Sequence, residues 1–252
     1  MTTLLDNFIT KDNMSNPTFI FVDGSYYNFY RYFALMQWWK NAYPEEPLDD
    51  PYQNEKFVEK FKKTHVENLL NMPKKLKIPK NVSPIMIVGR DCKRENIWRN
   101  EIFPQYKANR ANGQEDGFMG GPFFKMAYDE QLFIKGGAKA ILSHPKLEAD
   151  DCIALSVKYI SNKYPNCHIY IITSDRDYLQ LNSHNIDLYN LTYKNIAEDF
   201  KKNGISVLEQ LNEKQISDLL REANKAYYNE QPFFTDNQYD IVKEYVESRY
   251  PS

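Results

Sequence analysis

The sequence predicts an α/β protein, a central and mostly parallel sheet flanked by helices, followed by a C-terminal helical hairpin. Three observations carry this. TFIFVDG (18–24), PIMIVGRD (84–91) and CHIYIITSD (167–175) are short, almost continuous apolar runs bounded by turn residues, the pattern of strands buried on both faces. Between the second and third runs, EADDCIALSVKYISNKY keeps Ile153, Val157 and Ile160 at helical spacing, and strands that alternate with helices form parallel sheets. Each run also ends in an aspartate: Asp23, Asp91 and Asp175. In a parallel sheet those ends share one pole, so acids far apart in sequence converge on one edge.

Taken in order, residues 1–16 read as a flexible lead-in, because MTTLLDNFITKDNMSNP has neither a basic start nor an apolar run suited to a signal peptide or a membrane span. Residues 17–205 form the main α/β domain. In the remaining 206–252, Ile216, Leu219, Leu220, Ala223 and Tyr227 mark one face of a helix, and Tyr239, Val242 and Val246 mark a second. NEQPFFTDN loops between them. A chain of 252 residues can bury a core of its own without staples.

Cys92, Cys152 and Cys167 are odd in number and lack CxxC spacing, which suits free thiols in a reducing, intracellular compartment and argues against a disulfide framework or a zinc site. With 32 basic and 34 acidic residues, the overall charge does not mark a nucleic-acid binder, so any such surface must come from local segregation. Between Lys56 and Lys80 there are eight lysines, a run whose ordinary reading is a solvated helix face and loop. Lys93, Arg94, Arg99, Lys107 and Arg110 say more, because they follow directly on Asp91.

Two compact acidic groups join the strand-end aspartates: Glu148, Asp150 and Asp151 in LEADD, and Asp175 with Asp177 in SDRD. Singly each has a structural reading, since acids favour the first turn of a helix and aspartate favours caps and turns. Together, seven carboxylates at one sheet edge would repel one another unless cations neutralised them. Oxygen-only ligands suit Mg²⁺ or Mn²⁺, and two such ions about 4 Å apart catalyse in-line phosphodiester hydrolysis.

The ordered segments FVDGSYYNFYRYFAL, WRNEIFPQYKANR, LEADDCIAL and IITSDRDYLQL resemble the flap endonuclease and 5′–3′ exonuclease family, which includes phage ribonuclease H. The resemblance spans 17–190. It implies a PIN-like fold and metal-dependent hydrolysis at 5′ ends or flaps of DNA, or of RNA primers, in replication or repair. By that resemblance Asp23, Asp91, Glu148 and Asp150 hold a first metal ion. Asp151, Asp175 and Asp177 serve a second, and Lys107 and Arg110 form the basic pair at the scissile phosphate. Arg99 and Tyr106 fall beside them as nucleic-acid contacts, and Tyr26 and Tyr27 are candidates to stack on a terminal base. The segment 111–131 occupies the place of the family's helical arch, with glycines suited to flexibility.

The sequence departs from the family in having no GDxxDN motif, which leaves the second metal more weakly held, duplex specificity supplied elsewhere, or the sequence part of a longer protein. Instead ANKAYYNEQPFFTDNQYD (223–240) resembles the N-terminal Ia hairpin of NAD-dependent DNA ligases. Tyr227, Tyr228, Asp236, Tyr239 and Asp240 then match positions that contact the nicotinamide mononucleotide half of NAD, with Tyr228 in place of the usual histidine. No KxDG adenylation motif occurs, so ligation would need a partner ligase; the plainer alternative is a helical hairpin that only packs. Two further readings compete with the nuclease: a catalytically weak nucleic-acid-binding module of a repair assembly, and a PIN-type single-strand ribonuclease.

Overall fold

β1 (Thr18–Asp23) is the middle strand of a five-stranded sheet ordered β3-β2-β1-β4-β5, and every neighbouring pair is parallel. The other strands are β2 (Ile85–Gly89), β3 (Ala140–Leu142), β4 (His168–Ile172) and β5 (Ile186–Tyr189). The computed structural model describes residues 5, 7–9, 16–107, 118–228 and 236–249, with the backbone alone at 206, 207, 224–228, 236–240 and 247. Asp23 lies opposite Gly89, and Val22 opposite Ile172, so β1, β2 and β4 end level with one another. Phe19, Ile20, Phe21 and Val22 are fully buried, as their unbroken apolar run requires of a central strand.

α1 (Gly24–Ala42) leaves β1 without a loop and buries Tyr27, Tyr32, Leu35 and Trp39. α2 (Glu55–Leu70) starts at Asn54, whose side chain accepts the Phe57 N–H at 3.0 Å, and buries Phe57, Phe61, His65 and Leu69 at i, i+4 spacing. The lysines of α2 lie off that face, where Lys62 pairs with Glu130 at 3.0 Å and Lys60 sits 4.7 Å above the Trp38 ring. α3 (Gly121–Asp129) contributes Phe123 to the same aromatic core. α4 (Ala149–Lys163) lays Ile153, Val157 and Ile160, all at 0% exposure, against the sheet. Leu5, within the segment expected to be a loose lead-in, is buried.

The chain divides into two compact units between Tyr193 and Lys194. The sequence reading sets that change at residue 205; the difference is α5 (Ile196–Leu208), which packs with the last helix. With α6 (Glu213–Tyr228) and α7 (Asp236–Arg249) it makes the second unit three helices, not a hairpin alone, around Leu208, Ile216, Val242 and Tyr245. Among the described residues no helix is long and apolar enough to cross a membrane.

Candidate metal centre

The level strand ends decide where the acids go. Asp23 closes β1 and caps α1, its carboxylate accepting the Tyr26 N–H at 3.0 Å. Asp91 lies just past β2; one carboxylate oxygen accepts the Ala149 N–H at 2.7 Å and the other accepts the Ser25 hydroxyl, so this side chain ties together the starts of α1 and α4. Asp175 follows β4 and accepts the Asp177 N–H at 3.0 Å. On α4, Glu148 is the N-cap and forms a capping box with Asp151, whose carboxylate accepts the Glu148 N–H at 3.2 Å. Asp150 accepts the Asp151 N–H at 2.7 Å. Ligand oxygens of Glu148, Asp150 and Asp151 all lie within 4.8 Å of one another.

Their fields overlap. Burial pushes the Asp23 carboxyl up to about 6; its capping bond to Tyr26 opposes this, while Asp91, Asp150 and Asp175 add to it. Asp150 is also raised, by burial and then by the charges of Asp151 and Glu148. Asp151 goes the other way: burial pushes it up, but bonds from Arg99, Trp98 and the Glu148 N–H outweigh that and hold it below the usual range. Arg99 grips both Asp151 oxygens as a fork, at 2.8 and 2.7 Å, and reaches Glu148 at 3.1 Å. Trp98 donates to Asp151 at 3.1 Å; Tyr106 and Lys107 donate to the two oxygens of Glu148 at 2.9 and 2.8 Å. The donor set is oxygen throughout, and two of its members are pushed toward protonation by burial and then by one another's charge, which fits a hard divalent cation.

Residues 18–215 match the family model described as 5′–3′ exonuclease, N-terminal resolvase-like domain. The chain belongs to this family. A 5′–3′ exonuclease of Buchnera aphidicola subsp. Schizaphis graminum is 29% identical over 197 residues, which are 77% of this chain and 56% of the relative, so the chain spans little more than half that protein's length. Among solved structures, T5 5′-exonuclease with bound zinc is 19% identical with a TM-score of 0.47, covering 73% of this chain and 60% of its own. The bacteriophage T5 flap endonuclease in a pseudo-enzyme–product complex with DNA and metal ions is 18% identical with a TM-score of 0.47, covering 74% and 60%. A point mutant of T5 5′-exonuclease, 15% identical with a TM-score of 0.47, covers 92% and 87%.

In this exonuclease-family chain some sequence candidates turn out to be engaged elsewhere. Tyr27 is fully buried and donates to the His65 carbonyl at 2.7 Å, so it is a core residue and cannot stack on a base. Tyr26 is half-buried, and its hydroxyl accepts the Leu191 N–H at 3.0 Å, fastening the exit of β5 to α1. Arg99 serves as the counter-ion of Asp151 rather than an open phosphate contact. Asp177 is exposed on the 3₁₀ turn Arg176–Leu181, outside the close triplet of α4. Arg110, residues 111–117 of the arch-like segment and the side chains of Tyr227, Tyr228, Asp236, Tyr239 and Asp240 lie outside the described residues.

Other contributors escaped the sequence reading: Ser25, Trp98, and two glycines that permit the close approach of elements. A Cβ on Gly24 would meet the Gly89 carbonyl at 2.6 Å and the Tyr128 hydroxyl at 2.5 Å, and one on Gly89 would meet Ile153 at 2.8 Å. Because the first of these is backbone, Gly24→Ala should wedge β1 from β2 and cost about 1–3 kcal/mol. Urea unfolding followed by circular dichroism checks this, with Gly121→Ala, whose added Cβ meets nothing within 4 Å, as the control.

Proposed function

We propose that the chain is a divalent-metal-dependent 5′–3′ exonuclease and structure-specific 5′ flap endonuclease, hydrolysing phosphodiester bonds of DNA or RNA primers in replication or repair. One observation carries the reading: acids from the ends of β1, β2 and β4 and from the start of α4 share one electrostatic cluster in a chain of the 5′–3′ exonuclease family. Asp23, Asp91, Glu148 and Asp150 would hold one Mg²⁺ or Mn²⁺ ion, and Asp175 and Asp177, with Asp151, would serve a second. When bound, such ions lower the pKa of water and polarise a phosphoryl oxygen. The chain's own residues prepare the site. Ser25 and the Ala149 N–H fix the Asp91 carboxylate, and the capping box fixes Glu148. Lys107, partly exposed beside Glu148, would offer a cation to a phosphate oxygen that gains charge; Arg110 is proposed to act with it.

Incubation of 5′-labelled flaps, nicked duplexes and RNA-primed duplexes with Mg²⁺, Mn²⁺ or EDTA tests the reading. Labelled 5′ products should appear with metal and not with EDTA, and folded protein that leaves every 5′-ended substrate intact with both metals would sink it. Asp150→Asn should stop cutting and leave DNA affinity unchanged. Protons and metal compete for the same carboxylates. Since the Asp23 carboxyl lies at about 6, Mn²⁺ affinity should weaken as pH falls through that value and level off above about 7, as titration calorimetry between pH 5 and 8 would show.

A further inference from the structure

Two buried phenol hydroxyls among the described residues have no hydrogen-bond partner in the protein: those of Tyr178 and Tyr128. Buried polar groups are almost always satisfied, so each such exception points to something that fills the gap. Tyr178 stands on the 3₁₀ turn Arg176–Leu181, which packs against both α4 and β5, and is 3% exposed. The charges acting on its hydroxyl are Asp23, Asp150, Asp91 and Asp175, contributed by four different segments of the chain. A phenylalanine would fill the ring's space without burying an unsatisfied oxygen. Tyr128 is placed comparably on α3: its hydroxyl is the atom that an added Gly24 Cβ would strike, and Asp91 and Asp23 act on it as well. Its ring is held by Arg90, whose guanidinium lies 4.3 Å from the ring centroid.

We infer that Tyr178 is a positioning residue of the carboxylate centre, its O–H donating into the cluster through an ordered water. Carboxylates offer acceptors only, so a buried, unpartnered O–H on the turn that follows Asp175 and packs on α4 supplies a donor that such a cluster can use. A buried water needs two to four polar partners, and a phenol and carboxylates are groups that can serve. Such a water would hold the oxygen cage in the spacing that a divalent ion requires, as outer-shell partners commonly do at metal sites. The inference rests on the metal-centre reading above but concerns a residue outside the ligand set.

The test is Tyr178→Phe, which keeps the ring and removes one oxygen, read by Mn²⁺ titration calorimetry in the absence of DNA and by thermal unfolding in EDTA. Mn²⁺ affinity should fall about 10–100-fold, while stability in EDTA changes little, because the ring and its packing stay and only one water-mediated bond is lost. Unchanged Mn²⁺ affinity in Tyr178→Phe would overturn the inference, as would a wild-type protein that binds no Mn²⁺. A drop in EDTA stability equal to the drop in affinity would overturn it too, since that marks a packing role. Failure of the nuclease reading is separate: it shows as wild-type protein that binds Mn²⁺ yet cuts nothing.

Discussion

Asp23→Asn should abolish metal-dependent cleavage and, in EDTA at pH 7.5, make the protein more stable than the wild type. Asparagine is as good an N-cap as aspartate, so the bond from the Tyr26 N–H and the start of α1 survive the change. What disappears is a carboxylate that folding buries and, to a smaller extent, sets against Asp91, Asp150 and Asp175. Its proton is lost near 3.8 in the unfolded chain and at about 6 in the folded one. Between those values the folded state binds more protons, so wild-type stability falls as pH rises through the window, and the penalty is complete above about 6. At 1.36 kcal/mol per pH unit this is worth about 3 kcal/mol. Thermal melts of both proteins in EDTA should therefore coincide near pH 4 and separate toward pH 7. Added Mg²⁺ should close the gap by stabilising only the wild type. A variant that melts below the wild type at pH 7.5 without metal would show that Asp23 is a stabilising residue and not a ligand held at a cost.

The pole on which Asp23 sits was legible because β1, β2 and β4 are the three interior strands of the sheet, each written mainly in apolar residues. β3 and β5 were not: they are edge strands of three and four residues, with one and two side chains partly exposed, and Asp187 interrupts the apolar pattern of β5. In LEADD the helix-start reading and the ligand reading do not exclude one another, since Glu148 and Asp151 form a capping box while their oxygens lie beside those of Asp150. Pairings across long stretches of chain carry no local signal. Nothing in YKANR or WRNE says that Lys107 meets Glu148 or that Arg99 meets Asp151 more than 50 residues away. Tyr26 and Tyr27 are alike in sequence, yet one helical step turns Tyr27 into the core and leaves Tyr26 at the end of β5.

Arg99→Ala should destabilise the metal-free protein by about 2 kcal/mol, between the fraction of a kcal/mol typical of a surface pair and the 3–5 kcal/mol of a fully buried one. The intermediate figure follows from exposure: the side chains of Arg99, Asp151 and Glu148 are 27%, 15% and 8% exposed. Without the guanidinium, Asp151 keeps Trp98 and its capping bond but no charged partner among the described residues, and Glu148 depends on Lys107 alone for compensation. Arg99→Lys should recover less than half of the loss, because an ammonium cannot reproduce two parallel bonds to both Asp151 oxygens. Divalent metal supplies the missing positive charge by another route, so Mg²⁺ should raise the melting temperature of Arg99→Ala by more than that of the wild type. Urea unfolding in EDTA and in Mg²⁺ separates these outcomes. If Arg99→Ala matches the wild type in EDTA, or Arg99→Lys restores full stability, the fork on Asp151 does not hold the start of α4 in place.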